Sequence, residues 1–307
     1  MIRLVARRVL HTLPVLWAAV TLVWIFLYLV PGDPALTIAG AKPRPDVVQK
    51  IRQDLGLDRP APEQYGLYLW RLLRGDLGTS YLQNRPVGTI LSEGIGPSFL
   101  LGASAMLLAL PVGVALGVAA ARRGGLSRAL LAALSLAGIS MPTFWIGFLL
   151  IIFFSVRLGI LPVSGAGGLS HLVLPAVTLA VYPASLIARV THAAFEEQMR
   201  ARHVTAARAR GLAPRSVVWR HAFRTAMGPV VTISGLLTAT FLGGAIATET
   251  VFAWPGLGQI LYRAILGQDV MVVEGGVILL TGIFIAANLV VDLAYSAVDP
   301  RVRPQSS

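Results

Sequence analysis

Six runs of the sequence are long and apolar enough to cross a hydrocarbon layer of about 30 Å, and nothing else constrains the fold as strongly. They cover residues 9–30, 97–121, 130–156, 172–195, 229–251 and 275–298. Inside a bilayer every backbone N–H and C=O must be satisfied within the protein, so runs of this length read as helices. Proline or glycine stands at or near the ends of the last four runs (Pro142, Pro175, Pro229, Gly275). Pro183 lies within the fourth run and is expected to kink it, because proline removes an internal hydrogen bond. Hydrophobic residues make up 55% of the chain and charged residues 13%, far from soluble averages. The expected fold class is an all-α integral membrane protein with six transmembrane helices.

The arginines set the expected orientation. Arg3, Arg7 and Arg8 precede the first run, and Arg122, Arg123 and Arg128 follow the second. Arg189, Arg200, Arg202, Arg208, Arg210, Arg215, Arg220 and Arg224 cluster after the fourth, and Arg301 and Arg303 after the sixth. With six spans these places share one side, which should be cytoplasmic together with both termini. The short opposite loops hold Arg157 and Arg263. Loop one, residues 31–96, carries eight basic residues. It is long enough to translocate largely regardless of charge, and seven acids dilute it. The first run is too long for a signal-peptide core and lacks a small-residue cleavage site; PGDPA (31–35) ends it, so a retained anchor is expected.

Net charge of +12 in a soluble protein would suggest nucleic acid. Here the positive-inside distribution accounts for it, and no aromatic–basic platform is present, so nucleic-acid binding is excluded. The chain contains no cysteine, which rules out disulfides, thiolate metal sites and cysteine nucleophiles. Its five histidines (11, 171, 192, 203, 221) show no HExxH or similar ligand spacing. Lysine occurs only at Lys42 and Lys50, neither following a glycine-rich loop, so the chain has no phosphate-cradling ATP site of its own.

Within loop one, residues 46–57 and 63–78 read as two short helices. Tyr65, Tyr68 and Trp70 of the second would serve either as interfacial anchors or as part of a docking surface for an external partner. Inside the spans, Thr178, Tyr182 and Ser185 fall at i, i+4 and i+7 on one face of the fourth. Thr232, Ser234, Thr238 and Thr240 add hydroxyls to the fifth. Such hydroxyls either bond their own helix or line a translocation path. Asn288 and Asp292 lie four residues apart near the inner end of the sixth, suited to an ion pair with the basic loop or to a transport role.

The longest loop between later spans contains TAARARGL (205–212). Residues 196–210 are good helix formers, Gly211 suits a left-handed cap, and Pro214 suits the first turn of a second helix over 214–227. The small residues Ala206, Ala207 and Ala209 permit close approach of another surface, while the arginines suit phosphates or acids. From the residues alone, lipid and protein docking both stand.

TAARARGLAPRSVVWRHAFRTAMGPVVT (205–232) resembles the cytoplasmic loop of ABC importer permeases of the dipeptide/oligopeptide/nickel group. The likeness continues through PGDPA, GDLGTSY, ISMPTFWIGFLL, GILPVSG, ETVFAWPGLG and NLVVDLAYSAVDPRVR, in order along almost the whole chain. It implies a type I importer permease fold with a coupling helix seated on a separate ATP-hydrolysing subunit. Thr205, Ala206, Ala207, Arg208, Gly211 and Leu212 are the implied docking residues; Thr205 stands where the general motif places glutamate. Trp254, Pro255, Gly256 and Gly258 match the family's external turn, the glycines allowing a tight bend. Thr178, Tyr182, Ser185, Thr232 and Thr238 are the candidate path lining.

The implied parts are an N-terminal anchor (1–30), an extracytoplasmic loop (31–96), a permease core (97–298, coupling loop 196–228) and a cytoplasmic tail (299–307). The implied partners are a second permease, two ATPase subunits carrying ATP and magnesium, an extracytoplasmic binding protein and the lipid bilayer of the cell inner membrane. This chain itself would bind no cofactor or metal and catalyse nothing. Dipeptides, longer peptides, glutathione, nickel chelates and haem remain open as solutes. A stand-alone secondary transporter would show a carboxylate relay or matched broken helices, and a membrane hydrolase a nucleophile with a histidine or metal partner; neither pattern is legible.

Overall fold

The computed structural model describes residues 2–29, 35–36, 44–80, 82–123, 125–242 and 245–298. Side chains of 2–13, 26–27, 51, 54–55, 126–127, 239–242 and 291–298 fall outside that description. The chain is helical almost throughout: α1 (Ile2–Leu29), α2 (Pro45–Leu55), α3 (Ala61–Leu73), α4 (Val87–Arg122), α5 (Gly125–Ser140) and α6 (Thr143–Leu150) come first. Then follow α7 (Leu169–Arg200), α8 (Arg202–Ala209), α9 (Pro214–Ser216), α10 (Arg224–Leu242), α11 (Ile246–Val251), α12 (Leu257–Leu266) and α13 (Val270–Val298). Ile151–Arg157 and Val217–Phe223 are π-helical. A two-residue antiparallel hairpin pairs Thr79–Ser80 (β1) with Arg85–Pro86 (β2).

Two compact units result: Met1–Pro97 with Pro255–Ala286, and Ser98–Trp254 with Ala287–Ser307. The second is organised by α7, which packs against α5, α6 and α10. Lipid tails are as apolar as leucine, so burial alone does not hold these helices together; close packing through small residues does. Ala176, Ala180, Ala184 and Ala188 of α7 are buried. Onto this face α4 lays Gly113 and Gly117, four residues apart. A β-carbon on Gly113 would stand 2.6 Å from the Ala184 carbonyl oxygen, and one on Gly117 2.6 Å from that of Ala188. On the α5 side Gly138 meets Ser185 and Val181.

The first unit uses the same device. Gly94 faces the backbone of Gly256 and Leu257, and Gly275 and Gly276 face Val87 and Leu261. Around these contacts Val87, Ile90, Leu91, Leu257, Ala264 and Val272 form a buried cluster. The Ser80 hydroxyl donates to Asp269 Oδ2 at 2.5 Å, which fastens the small hairpin to the start of α13.

Among the described residues three helices are long and apolar enough to cross a membrane, Val87–Arg122, Leu169–Arg200 and Val270–Val290, or four counting one bent pair. That pair corrects the expected third span. Arg128–Ser140 and Thr143–Arg157 meet at 108°, so residues 130–156 are not one straight helix. Pro142 is the cause: without an N–H it cannot continue α5, and at φ −60 and ψ 133 it caps the next helix instead. The fifth run is likewise two helices, α10 and α11, rather than one. α7 continues through both Pro175 and Pro183, and α4 begins at Val87, ahead of the expected start at 97. The expected end of the first run at PGDPA lies outside the described residues, as does the 299–307 tail.

Replacing Gly117 with valine drives a side chain into α7 and should destabilise the fold by about 1–3 kcal/mol. A lowered melting temperature in detergent checks this. Gly228→Ala, whose new β-carbon meets nothing within 4 Å, should leave it unchanged.

Candidate functional site

The basic loop is an ordered hairpin. α7 ends at Arg200, and Ala201 takes an extended conformation, φ −68 and ψ 149. Its carbonyl then accepts the N–H groups of Val204 and Thr205, both at 3.1 Å, which starts α8. At the other end the Gly211 N–H donates to Arg208 O at 2.9 Å and the Leu212 N–H to Ala207 O at 3.4 Å. This paired closure needs a left-handed residue, and Gly211 supplies it at φ +76. Pro214 opens α9 as expected. Residues 214–227 are helical as expected, but the helix does not end at 227. α9, the π turn and α10 follow one another without a break, so the hairpin's outgoing arm runs into the fifth apolar run.

The hairpin presents two different faces. Val204 and Ala207 point inward, into a cluster with Val118, Phe195, Val217 and Ala222. Thr205, Ala206, Arg208, Gly211 and Leu212 are exposed. Ala207 is therefore not an available contact, as the sequence had suggested; at 4% exposure its small size serves the hairpin's own packing. The Thr205 hydroxyl donates to Ala201 O at 3.4 Å and stays at the surface. Beside the hairpin, Glu196 accepts hydrogen bonds from Arg128 and Arg200, each at 2.7 Å, and lies 3.5 Å from His192 Nε2. Arg128 belongs to α5, so this cluster ties the start of α5 to the end of α7.

The hydroxyls proposed to line a path do not share one open face. Thr178 is fully buried, and its hydroxyl donates to Leu174 O at 2.7 Å. Ser185 is buried at the Gly138 crossing. Thr232 donates to Gly228 O at 3.2 Å, and Thr238 to Ser234 O at 2.8 Å. Of the five, Tyr182 and Thr232 are exposed, Thr238 is half-buried, and Thr178 and Ser185 lie inside the chain's own bundle. The Asp292 and Thr240 side chains fall outside the described residues.

The turn expected to be external, at Trp254–Gly258, is also built differently from the expectation. Gly256, at φ −97 and ψ 178, is extended, and Gly258 lies within α12; neither makes the bend. Ala253 does, at φ +46. Trp254 is buried, with its N–H on Glu249 O at 2.8 Å, and Pro255 is exposed. Glu249 is a residue the sequence reading passed over. Only 1% exposed, it accepts a hydrogen bond from the Ser98 hydroxyl at 2.6 Å. The available signal was a lone carboxylate in an apolar run.

The loop-one helices form as expected, yet their three aromatics have different surroundings. Tyr65 hydrogen-bonds Thr21 at 2.6 Å and packs on Trp24. Trp70 is exposed with Arg74 over its ring at 4.4 Å, and the Tyr68 hydroxyl is buried. They are not a row of equivalent lipid anchors.

Comparison with known proteins adds the context. Residues 113–304 match the family described as binding-protein-dependent transport system inner membrane component, and residues 1–95 match the N-terminal part of such membrane components. A protein of Brucella abortus named as a peptide transport system permease is 38% identical over 99% of both chains. The glutathione transport system permease of Pectobacterium atrosepticum is 40% identical over 97% of both chains. That of Salmonella typhimurium is 40% identical over 99% of both. In structure the chain is similar to a subunit of the inward-facing MetNI methionine ABC transporter, with TM-score 0.57 and 23% identity over 68% of this chain and 96% of that one. That likeness concerns the fold.

The two faces of α8 give a direct contrast. Ala207→Trp should lower the melting temperature by overpacking the hairpin, at a cost of about 1–3 kcal/mol. Ala206→Trp, one residue away on the exposed face, should leave it within about 0.5 kcal/mol of the parent.

Proposed function

The chain belongs to the binding-protein-dependent transport system inner membrane components, and on that footing we propose that it is a peptide importer's permease subunit. It pairs with a second permease, and the solute path runs between the two. An extracytoplasmic protein delivers the solute, a dipeptide, an oligopeptide or glutathione. The relatives named for peptide and glutathione transport support that choice. The subunit sits in the cell inner membrane with six spans and both termini cytoplasmic, in line with the distribution of its arginines. It performs no chemistry itself; two partner ATPases carry ATP and magnesium.

The observation that carries this reading is the exposed face of the hairpin. Thr205, Ala206, Arg208, Gly211 and Leu212 are exposed on a short helix and its closing turn, while the helix's other side is locked into the chain's own core. A lipid-resting helix would place its apolar side in the bilayer, whereas here that side is already occupied. The exposed side suits a protein groove. ATP binding draws the ATPases together, and the seated hairpins move with them. The continuous α9–α10 arm passes that displacement to the spans, closing the cytoplasmic end of the path and switching it from inward- to outward-open.

Reconstitution in vesicles with the second permease, the ATPases and the binding protein tests the reading. Peptide uptake should require both ATP and the ATPases; uptake by this chain without them would refute it. Gly211→Val strains the turn by about 1–3 kcal/mol. It should cut uptake about tenfold while the ATPases still hydrolyse ATP, since a tenfold change needs only about 1.4 kcal/mol. Ala206→Trp should abolish co-purification of the ATPases from a chain that still folds.

A further inference from the structure

By charge alone Arg189 belongs with the cytoplasmic arginines, yet it stands inside the fourth apolar run, 172–195. The ion cluster at Glu196 marks the polar end of α7. At 1.5 Å per residue, Arg189 lies about 10 Å deeper in the membrane than Glu196. It is exposed and makes no hydrogen bond or ion pair among the described residues. The carboxylates of the helix end do not neutralise it. Glu196 is held by Arg128 and Arg200, and Glu197 is about 12 Å further along the helix.

What Arg189 faces follows from how α7 is packed. Of its apolar stretch 67% is buried, against 33% for α4. One side takes α4, at Ala184, Ala188 and Thr191. The next takes α5, at Val181 and Ser185 through Gly138, and at His192 and Glu196 through Arg128. The third takes α10, whose Val230 and Leu237 meet Ile187 beside Leu186 and Val190. The remaining sector holds Tyr182, Arg189 and Ala193, all exposed and within about 40° of one another at 3.6 residues per turn. Further out the sector is closed, because Pro175, Thr178 and Leu179 are buried. The opening is a slot between α5 and α10 that runs from Tyr182 toward the Arg200 end. Elsewhere the open surface is bulky and apolar, as at Leu107, Phe148 and Phe153. An unpaired guanidinium is costly in hydrocarbon, and charges at this depth face a bundle interior or a water-filled cavity.

From this placement we infer that the slot lines the inner half of the solute path and that Arg189 is a specificity-determining residue there, taking a carboxylate of the passing solute. Its planar donors match a carboxylate two at a time. Tyr182, about 10 Å further out on the same stripe, offers a hydroxyl ahead of it. A lone cation in a narrow, low-dielectric passage also raises the local concentration of anions. That the slot belongs to a solute path rests on the transport reading. That it holds water and favours anions does not.

The absence of cysteine permits a direct test. Tyr182→Cys, Arg189→Cys and Ala193→Cys are made singly, and each chain is assembled with the second permease and the ATPases in lipid nanodiscs. A charged, membrane-impermeant methanethiosulfonate reagent should modify all three, read as a mass increase of this chain, and leave Leu107→Cys unmodified. Failure to modify Arg189→Cys overturns the slot as a water-filled path. If that variant does not assemble, Tyr182→Cys and Ala193→Cys on either side of it decide. Tyr182→Cys also reports the charge. The ratio of its modification rates by anionic and cationic reagents should fall about tenfold when Arg189→Gln is added, and Arg189→Lys should keep it. An unchanged ratio overturns the preference for anions. In vesicles with all subunits, Arg189→Gln should slow uptake of Ala-Ala-Phe about tenfold and leave uptake of its C-terminal amide unchanged. Equal slowing of both gives Arg189 a structural role and overturns its part in specificity. Failure of the transport reading shows separately, as no ATP-dependent uptake by the parent chain, and leaves the labelling results standing.

Discussion

The second unit depends on how closely other backbones can approach α7. In a hydrocarbon medium, helix association gains little from burying more hydrocarbon, so contact quality decides it. Gly113 and Gly117 let α4 reach the Ala184 and Ala188 carbonyls, and Gly138 lets α5 reach Ser185. Alanines on α7 complete the fit from the other side. The result is a bundle whose closest helix crossings are main chain against main chain, with Leu101, Ile187, Phe195 and Phe252 buried around them. Other bulky apolar residues lie outside: Leu107, Phe148 and Phe153 are exposed in the isolated chain, as lipid-facing or partner-facing side chains would be.

That core also joins the hairpin to the longer helices. The cluster beneath the hairpin joins Val118 of α4, Phe195 of α7, Val204 and Ala207 of α8, and Val217 and Ala222 of the outgoing arm. A push on the exposed side of α8 therefore bears on three longer elements together. With α9, the π turn and α10 running on directly, no slack segment absorbs the motion. Conversely, the bend of 108° at Pro142 gives α5 and α6 separate directions. The Glu196 cluster holds the start of α5 to the end of α7 through surface ion pairs, which are weak enough to rearrange.

Much of this was legible in the sequence, for identifiable reasons. The apolar runs, the two loop-one helices, the αL glycine at 211 and the helix-opening Pro214 all follow from local chemistry. Such signals operate within a few residues and survive any tertiary arrangement. The errors arose where local signals had two outcomes. Proline at 142 could sit near a helix end or fold a span in two, and only its neighbours decide which. TAARA announces small residues without saying which of them face inward; Val204, three positions before Ala207, was the clue that one stripe packs internally. WPGLG suggests glycine-driven bending, yet the left-handed residue is Ala253, and the glycine that close packing requires there is Gly94, against the backbone of 256 and 257. The Gly113–Gly117 pair was present in the sequence as a small-xxx-small spacing, but that spacing does not name its partner helix.

Glu249 shows how the two kinds of information combine. A carboxylate in an apolar run is costly wherever it lies, so its presence calls for a partner. The structure supplies Ser98 on α4, 2.6 Å away, although the two residues stand 151 positions apart in sequence. The same residue receives the Trp254 N–H on its carbonyl, so one side chain and its own backbone hold both α4 and the turn at Trp254. Ala253 can keep its left-handed conformation because the residues on either side are pinned: Trp254 by Glu249, and Phe252 by its carbonyl's bond with Gly165 N–H at 2.8 Å. A strained residue held by neighbours on both sides resists relaxation. The turn thus keeps its shape through contacts made within its own unit, with no glycine at the left-handed position.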